Sequence, residues 1–287
     1  MAARAPRRRR LDLCDPDTAR VVARRAGLSL KRRLGQHLLT DRAAVERIVD
    51  ALDPGSDDDV LEIGPGIGTL TVELAARARR VVGVELDEGC LRATAITLRD
   101  QPNAAVVQGD ALAADPAALG LGPGYLAAGN IPYSITGAML THLFESTTPP
   151  RRAVLLVQRE VAARLAAQPG DWSLATVAVR SLAAVERFGD VPPVSFVPPP
   201  AVHSSILRLT PLPGLDPDER TAVLHLARSA FQLRRKVLRH GVTRAVGDEA
   251  GALGALADAG IDPGRRPGTL ALEEWRALAR AAARVMR

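Results

Sequence analysis

Short apolar runs that stop at glycine or an acidic residue alternate with amphipathic stretches through much of the chain. Residues 60–63 form such a run, closed by Gly64-Pro65-Gly66-Ile67-Gly68. Residues 69–79 follow with Leu70, Leu74 and Ala78 at helical spacing. The same reading predicts strands at 81–85, 105–108, 125–129 and 153–158, and helices at 88–99 and 137–144. Strands separated by helices of this length predict a parallel sheet with helices on both faces.

The pattern changes after Leu209. Pro211, Pro213 and Pro217 read as a linker, and helices are predicted at 218–231 and 273–286. Three parts follow: a flexible basic arm over 1–27, an α/β domain over 28–212 and a small helical domain over 213–287. The 287 residues, 47% hydrophobic and 24% charged, suffice for a packed core in each of the two domains. No stretch approaches the roughly 18 apolar residues of a membrane helix.

Charge sharpens this picture by where it falls. The formal charge is +6, yet residues 1–36 alone carry +8 and the remaining 251 residues sum to −2. A near-neutral globule with a basic arm points to a polyanion; a solvated leader or a codon bias towards Arg is the plain alternative. Cys14 and Cys90 have no CxxC partner, so neither a disulfide framework nor a zinc site is expected and a reducing compartment suits them. Cys14 is expected to be solvated in the arm and Cys90 to be buried on a helix. Residues 11–16 make no secretory core, and acidic residues soon after the Arg-rich start count against a mitochondrial presequence. The expected location is the cytoplasm.

Candidate chemistry gathers at the predicted strand ends. Glycines at 64, 66 and 68 let a ligand approach backbone N–H groups at a helix start, although a tight turn needs glycine too. No Gly-Lys-Ser/Thr follows, so this is not a nucleotide-hydrolase loop. Glu85 closes the next strand, where a carboxylate can accept hydrogen bonds from both ribose hydroxyls of an adenosine-containing cofactor; a surface acid is the plain alternative. Asp110 follows the third strand, placed to accept from an adenine amine. The fourth strand ends in Asn130-Ile131-Pro132-Tyr133. An Asn carbonyl and a backbone carbonyl beside proline can hold one –NH₂ group while the Tyr133 ring stacks on its heterocycle. Fixing that amine directs its lone pair at an electrophile by positioning, without a strong base.

With these segments in place, the chain resembles the S-adenosylmethionine-dependent ribosomal RNA adenine N6-dimethyltransferases, closest to the KsgA/RsmA branch. The similarity runs from residue 28 to about 280 through LGQHLL (34–39), EIGPGIGTLT (62–71), VELD (84–87), GDAL (109–112) and NIPY (130–133). It continues through QREVAARLAAQPG (158–170), SFVPPPAVHSSILRL (195–209), FQLRRKVLRH (231–240) and RRPGTLALEEWRALA (265–279). The resemblance implies a Rossmann-like class I methyltransferase domain with a small C-terminal helical domain. It implies that His37, Leu39, Gly64, Gly66, Glu85, Asp110 and Asn130 line the S-adenosylmethionine pocket, with Gln36 close by. Asn130, Pro132 and Tyr133 would hold the target adenine and Phe196 would cover its other face; no metal is implied. His37, Leu39, Ser134 and His203 depart from the commonest residues of these blocks.

The implied reaction places two methyl groups on N6 of each of two adjacent adenosines near the 3′ end of small-subunit (16S) ribosomal RNA, serving ribosome biogenesis. The substrate would be an assembling 30S particle and the enzyme a monomer. Arg234, Arg235, Lys236 and Arg239, predicted on one helix with no acid between 231 and 247, would contact phosphates together with Arg151, Arg152 and the arm. The alternatives are a large-subunit adenine methyltransferase of the antibiotic-resistance type and a non-catalytic RNA-binding assembly or transcription factor. A nicotinamide oxidoreductase fits less, lacking the usual glycine spacing.

Overall fold

The protein is described by a computed structural model over residues 11–30, 36–212 and 216–286. The basic residues at positions 4, 7–10 and 31–33, and the start of the LGQHLL block, lie outside the described residues. Helix α1 (Pro16–Arg25) leads to a two-residue strand β1 (Leu38–Leu39) and α2 (Arg42–Leu52). Alternation then sets in: β2 (Asp59–Ile63), α3 (Thr69–Ala75), β3 (Arg80–Glu85), α4 (Glu88–Thr97), β4 (Ala104–Gln108), β5 (Leu126–Asn130), α5 (Thr136–Phe144) and β6 (Arg152–Gln158). Next come α6 (Arg159–Leu165), α7 (Leu174–Arg180), β7 (Ala183–Val191), a second two-residue strand β8 (Phe196–Val197) and β9 (Ser204–Pro211). Four helices finish the chain: α8 (Pro217–Gln232), α9 (Leu238–Val246), α10 (Glu249–Asp258) and α11 (Leu272–Val285).

The main sheet has the order β4-β3-β2-β5-β6-β9-β7. Strands β2 to β6 are parallel, as predicted, but β9 runs antiparallel to both β6 and β7, so the sheet is mixed. Side chains alternate between two cores, as the two-residue period of a strand requires. On β6, Leu155 and Val157 face α5 and α6, whereas Val154 and Leu156 face α2 and α3. Helix α2 is not among the predicted elements, although its buried Val45, Ile48, Val49 and Leu52 recur at helical spacing.

The flexible arm expected over 1–27 is corrected for residues 11–27. Asp15 caps α1 by accepting from the Thr18 N–H, and Pro16 starts the helix where its missing N–H costs nothing. Ala19, Val22 and Ala23 bury against Leu38, Ile67 and Ala93. Cys14, expected in solvent, is buried, and that burial pushes its thiol up to about 11. Cys90 is buried on α4, as expected.

Helices α8 to α11 pack around a fully buried Trp275, whose ring lies 6.0 Å from that of Phe231. Their core does not stop at the predicted boundary, because Trp172 and Val177 belong to it. The Gly268 carbonyl accepts from the N–H groups of Gly170 (2.7 Å) and Trp172 (3.2 Å). A Cβ on Gly268 would stand 2.9 Å from the Trp172 carbonyl oxygen, so this close approach of two backbones requires glycine. Removing the Trp275 ring leaves a cavity at the centre of this cluster. Trp275→Ala is expected to lower the urea unfolding midpoint at a cost of about 3–5 kcal/mol, read by circular dichroism.

Candidate functional site

Parallel pairing brings the C-terminal ends of β2, β3, β4 and β5 to one edge, with Ile63 beside both Val84 and Gly129 and Glu85 beside Gln108. The glycine loop after β2 turns there with Gly64, Gly66 and Gly68 all at positive φ, conformations that side chains disfavour. A cavity of about 530 Å³ opens along this edge. His37, Leu39, Gly64, Gly66, Glu85, Asp110 and Asn130 all line it, as do Gln36, Pro132 and Ser134.

Glu85 is only 8% exposed and is held by backbone donors. Its Oε2 accepts from the Gly66 N–H at 3.0 Å and its Oε1 from the Asp87 N–H at 2.9 Å. Burial raises the Glu85 carboxyl above its ordinary range, and these N–H groups draw it back. Leu86, next along the chain, is 68% exposed and lines the cavity. It was not singled out from sequence, where an apolar residue beside a strand end is unremarkable. Asp110 accepts from the Leu112 N–H at 2.9 Å, which orients its carboxylate.

Glu62 is the second missed residue. It points from β2 into the cavity, is 2% exposed, and its Oε2 has no hydrogen-bond partner. Burial pushes its carboxyl up to about 8, the nearby Glu85 adding to the rise. The Thr71 hydroxyl softens that shift, although Thr71 Oγ1 itself makes no hydrogen bond of normal geometry. In a strand, every second residue faces the same side, and only the missing partner sets Glu62 apart.

Asn130 ends β5, and its Nδ2 donates to the His37 carbonyl at 2.8 Å. That bond fixes the amide orientation and leaves Oδ1 as an acceptor at the cavity. Tyr133 follows in a short 3₁₀ turn, its hydroxyl hydrogen-bonded to Ser204 Oγ at 2.7 Å. Burial raises the phenol. Phe196 is corrected: its ring is 2% exposed and packs in the core of α2, because β8 pairs with β1 and sets Phe196 opposite Leu39. The structure does not bring it to the cavity.

The basic residues also differ from expectation. Helix α8 ends at Gln232 and α9 begins at Leu238, so Arg234, Arg235 and Lys236 occupy the connecting turn and only Arg239 is helical. All four are exposed. The first three line a groove of about 900 Å³ with Arg266, Trp172 and Gly268, which joins the two halves of the protein. Arg151 and Arg152 are at the opposite end of the sheet, where β6 begins. Arg151 pairs with Asp58 at 2.8 Å, and Arg152 donates to the Leu52 carbonyl at 2.8 Å.

The cavity is lined by four carboxyl groups, Glu62, Glu85, Asp87 and Asp110, with no Lys or Arg among the described lining residues. Such a wall suits a ligand carrying positive charge and opposes a pyrophosphate. Donors and acceptors for an adenosine at successive strand ends, together with this charge, fit S-adenosylmethionine. A Rossmann-like fold with such a site defines an S-adenosylmethionine-dependent methyltransferase.

Residues 27–282 match the family model described as ribosomal RNA adenine dimethylase. The chain is 35% identical over 283 residues to "Ribosomal RNA small subunit methyltransferase A" of Bacillus mycoides, covering 94% of this chain and 97% of that one. The same figures hold for the protein of that name in Bacillus cereus. Among solved structures it is similar to the 23S rRNA methyltransferase ErmE (30% identity, TM-score 0.70, covering 85% of this chain and 99% of that one). A dimethyladenosine transferase from Plasmodium falciparum is similar at 25% identity and TM-score 0.73, covering 84% and 96%. The chain belongs to the ribosomal RNA adenine dimethylase family.

Glu62 gives the site a measurable pH signature. A carboxyl raised from 4.5 to about 8 keeps its proton in the folded state after the unfolded chain has lost it. Its contribution to stability is complete below the unfolded value and is lost as pH rises to about 8. Glu62→Gln is expected to flatten the fall in urea midpoint across that window; a fall as steep as in the wild type would exclude a raised Glu62.

Proposed function

We propose that this enzyme dimethylates N6 of two adjacent adenosines near the 3′ end of small-subunit ribosomal RNA, acting as a monomer on an assembling 30S particle. The observation that carries the chemistry is the Asn130 amide in the cavity wall, clamped through Nδ2, which leaves Oδ1 to accept. S-adenosylmethionine supplies an electrophilic methyl group made reactive by its sulfonium. In this reading Glu85 accepts hydrogen bonds from the cofactor ribose, Asp110 accepts from its adenine amine, and Leu86 packs on that ring. His37, Leu39, Gly64 and Gly66 complete the walls, and Glu62 offers a further carboxyl to positive charge.

The target adenine is held by Asn130 Oδ1 and a backbone carbonyl. The Pro132 carbonyl already accepts from the Ile135 N–H at 3.1 Å, and in this reading the Ile131 carbonyl serves as the second acceptor. Both hydrogens of the amine are thereby fixed, and its lone pair turns towards the methyl group. Tyr133, anchored at its hydroxyl, supplies the stacking face. In this reading the ring of Tyr133, half-buried where Phe196 is fully buried, serves as that face. Once the methyl group has moved from sulfur to N6, leaving a thioether, the surplus N6 proton is lost to solvent, which requires no strong base.

Small-subunit RNA is favoured by the names of the relatives that match most of the chain. The large-subunit alternative draws on the likeness to ErmE. Mapping methylation by primer extension on both RNAs from a deletion strain separates them: loss at adjacent small-subunit adenosines supports the proposal, and loss confined to the large subunit excludes it. Asn130→Ala is expected to slow transfer about 100-fold while RNA affinity stays near wild type, measured by single-turnover methylation and filter binding. Arg234→Ser with Arg235→Ser should weaken RNA binding and reduce its salt slope by up to about 2, since each lost phosphate contact removes roughly one unit.

A further inference from the structure

The segment carrying Phe196 is joined to the cofactor wall by a short antiparallel ladder, Leu39 opposite Phe196 and Leu38 opposite Val197. Continuing that register places His37 opposite Pro198. Proline has no N–H, so the ladder cannot gain a backbone donor from Pro198. His37 Nδ1 instead lies 2.7 Å from the Pro198 carbonyl oxygen. A carbonyl only accepts, so Nδ1 carries the proton and donates. The His37 backbone carbonyl meanwhile accepts from Asn130 Nδ2. One residue therefore ties the amide at the end of β5 to the segment after β8, from a position in the cavity wall.

We infer that His37 is a positioning residue for methyl transfer, holding the segment 197–199 at a fixed distance from the Asn130 acceptor that binds the target base in the reaction proposed above. The inference rests on the reaction proposed above and adds the device that joins its base site to the segment after β8. Phe196 is packed in the core, and residues 197–199 carry no aromatic ring. Their placement depends on the ladder and its last, side-chain rung. Without that rung the Asn130 amide stays clamped, since its acceptor is backbone, while the facing wall is released. The loss should therefore appear in base placement and turnover rather than in cofactor affinity.

Side-chain geometry supplies the test. An Asn amide places a donor near the Nδ1 position of His, whereas a Gln amide reaches the Nε2 position. His37→Ala, His37→Asn and His37→Gln would be compared with wild type for turnover, S-adenosylhomocysteine affinity by calorimetry and thermal midpoint. Quenching of 2-aminopurine at a target position of the RNA would report base stacking. His37→Ala is expected to lose turnover about 10-fold or more, a larger change than any loss of cofactor affinity from the same wall residue. His37→Asn should restore both turnover and quenching, and His37→Gln should restore neither. Equal turnover in all variants, recovery by His37→Gln as full as by His37→Asn, or a cofactor-affinity loss that accounts for the whole defect would overturn the inference. Failure of the wild type to methylate small-subunit RNA would overturn the proposed reaction, and this role with it.

Discussion

Ile63 is paired on one side with Val84 and on the other with Gly129, while Glu85 sits beside Gln108. The ends of four parallel strands therefore come out level, and each chain exit contributes one group to the same wall. A glycine loop, two carboxylates and an amide far apart in sequence become neighbours through backbone pairing alone. Slipping any of these strands by one residue would turn its side chains to the other face and remove its group from the wall. The two apolar cores that hold the register are thus also what keeps the chemistry assembled.

That dependence explains what could be read in advance. The glycine loop, Glu85, Asp110 and Asn130 were legible because each is local: an apolar run stops and a particular residue follows. Glu62 and Leu86 were not, because their distinction is an environment, an orphaned carboxyl and an uncovered apolar side chain, rather than a spacing. Phe196 was assigned by resemblance to the target base, and its burial follows from the long-range pairing of β8 with β1. The antiparallel reversal at β9 is equally non-local. Charge counting located the basic turn at 234–236 but not the break between α8 and α9, nor Arg266, which joins the turn only through the fold. It likewise missed α1, whose small apolar residues sit among arginines yet dock on α4.

The two halves of the protein share more than a linker. Trp172 lies in the core of the C-terminal helices, and the Gly268 carbonyl takes two N–H groups from the loop before α7. Arg220 on α8 reaches back to Glu145 at 2.6 Å and to Ser181 Oγ at 3.2 Å. The basic groove is built across this junction, so its distance from the strand-end cavity is set by packed contacts rather than by a hinge.

The acid lining of the cavity bears on exchange as well as capture. Methyl transfer converts a sulfonium into an uncharged thioether, so the carboxyl groups that attract the incoming donor have less hold on the spent one. Glu62 can follow this change. Its burial favours the protonated carboxyl near neutral pH, whereas a neighbouring cation favours the ionised form. The charge of the wall thus favours the incoming donor over the spent one in each round of a reaction that is repeated on the same base.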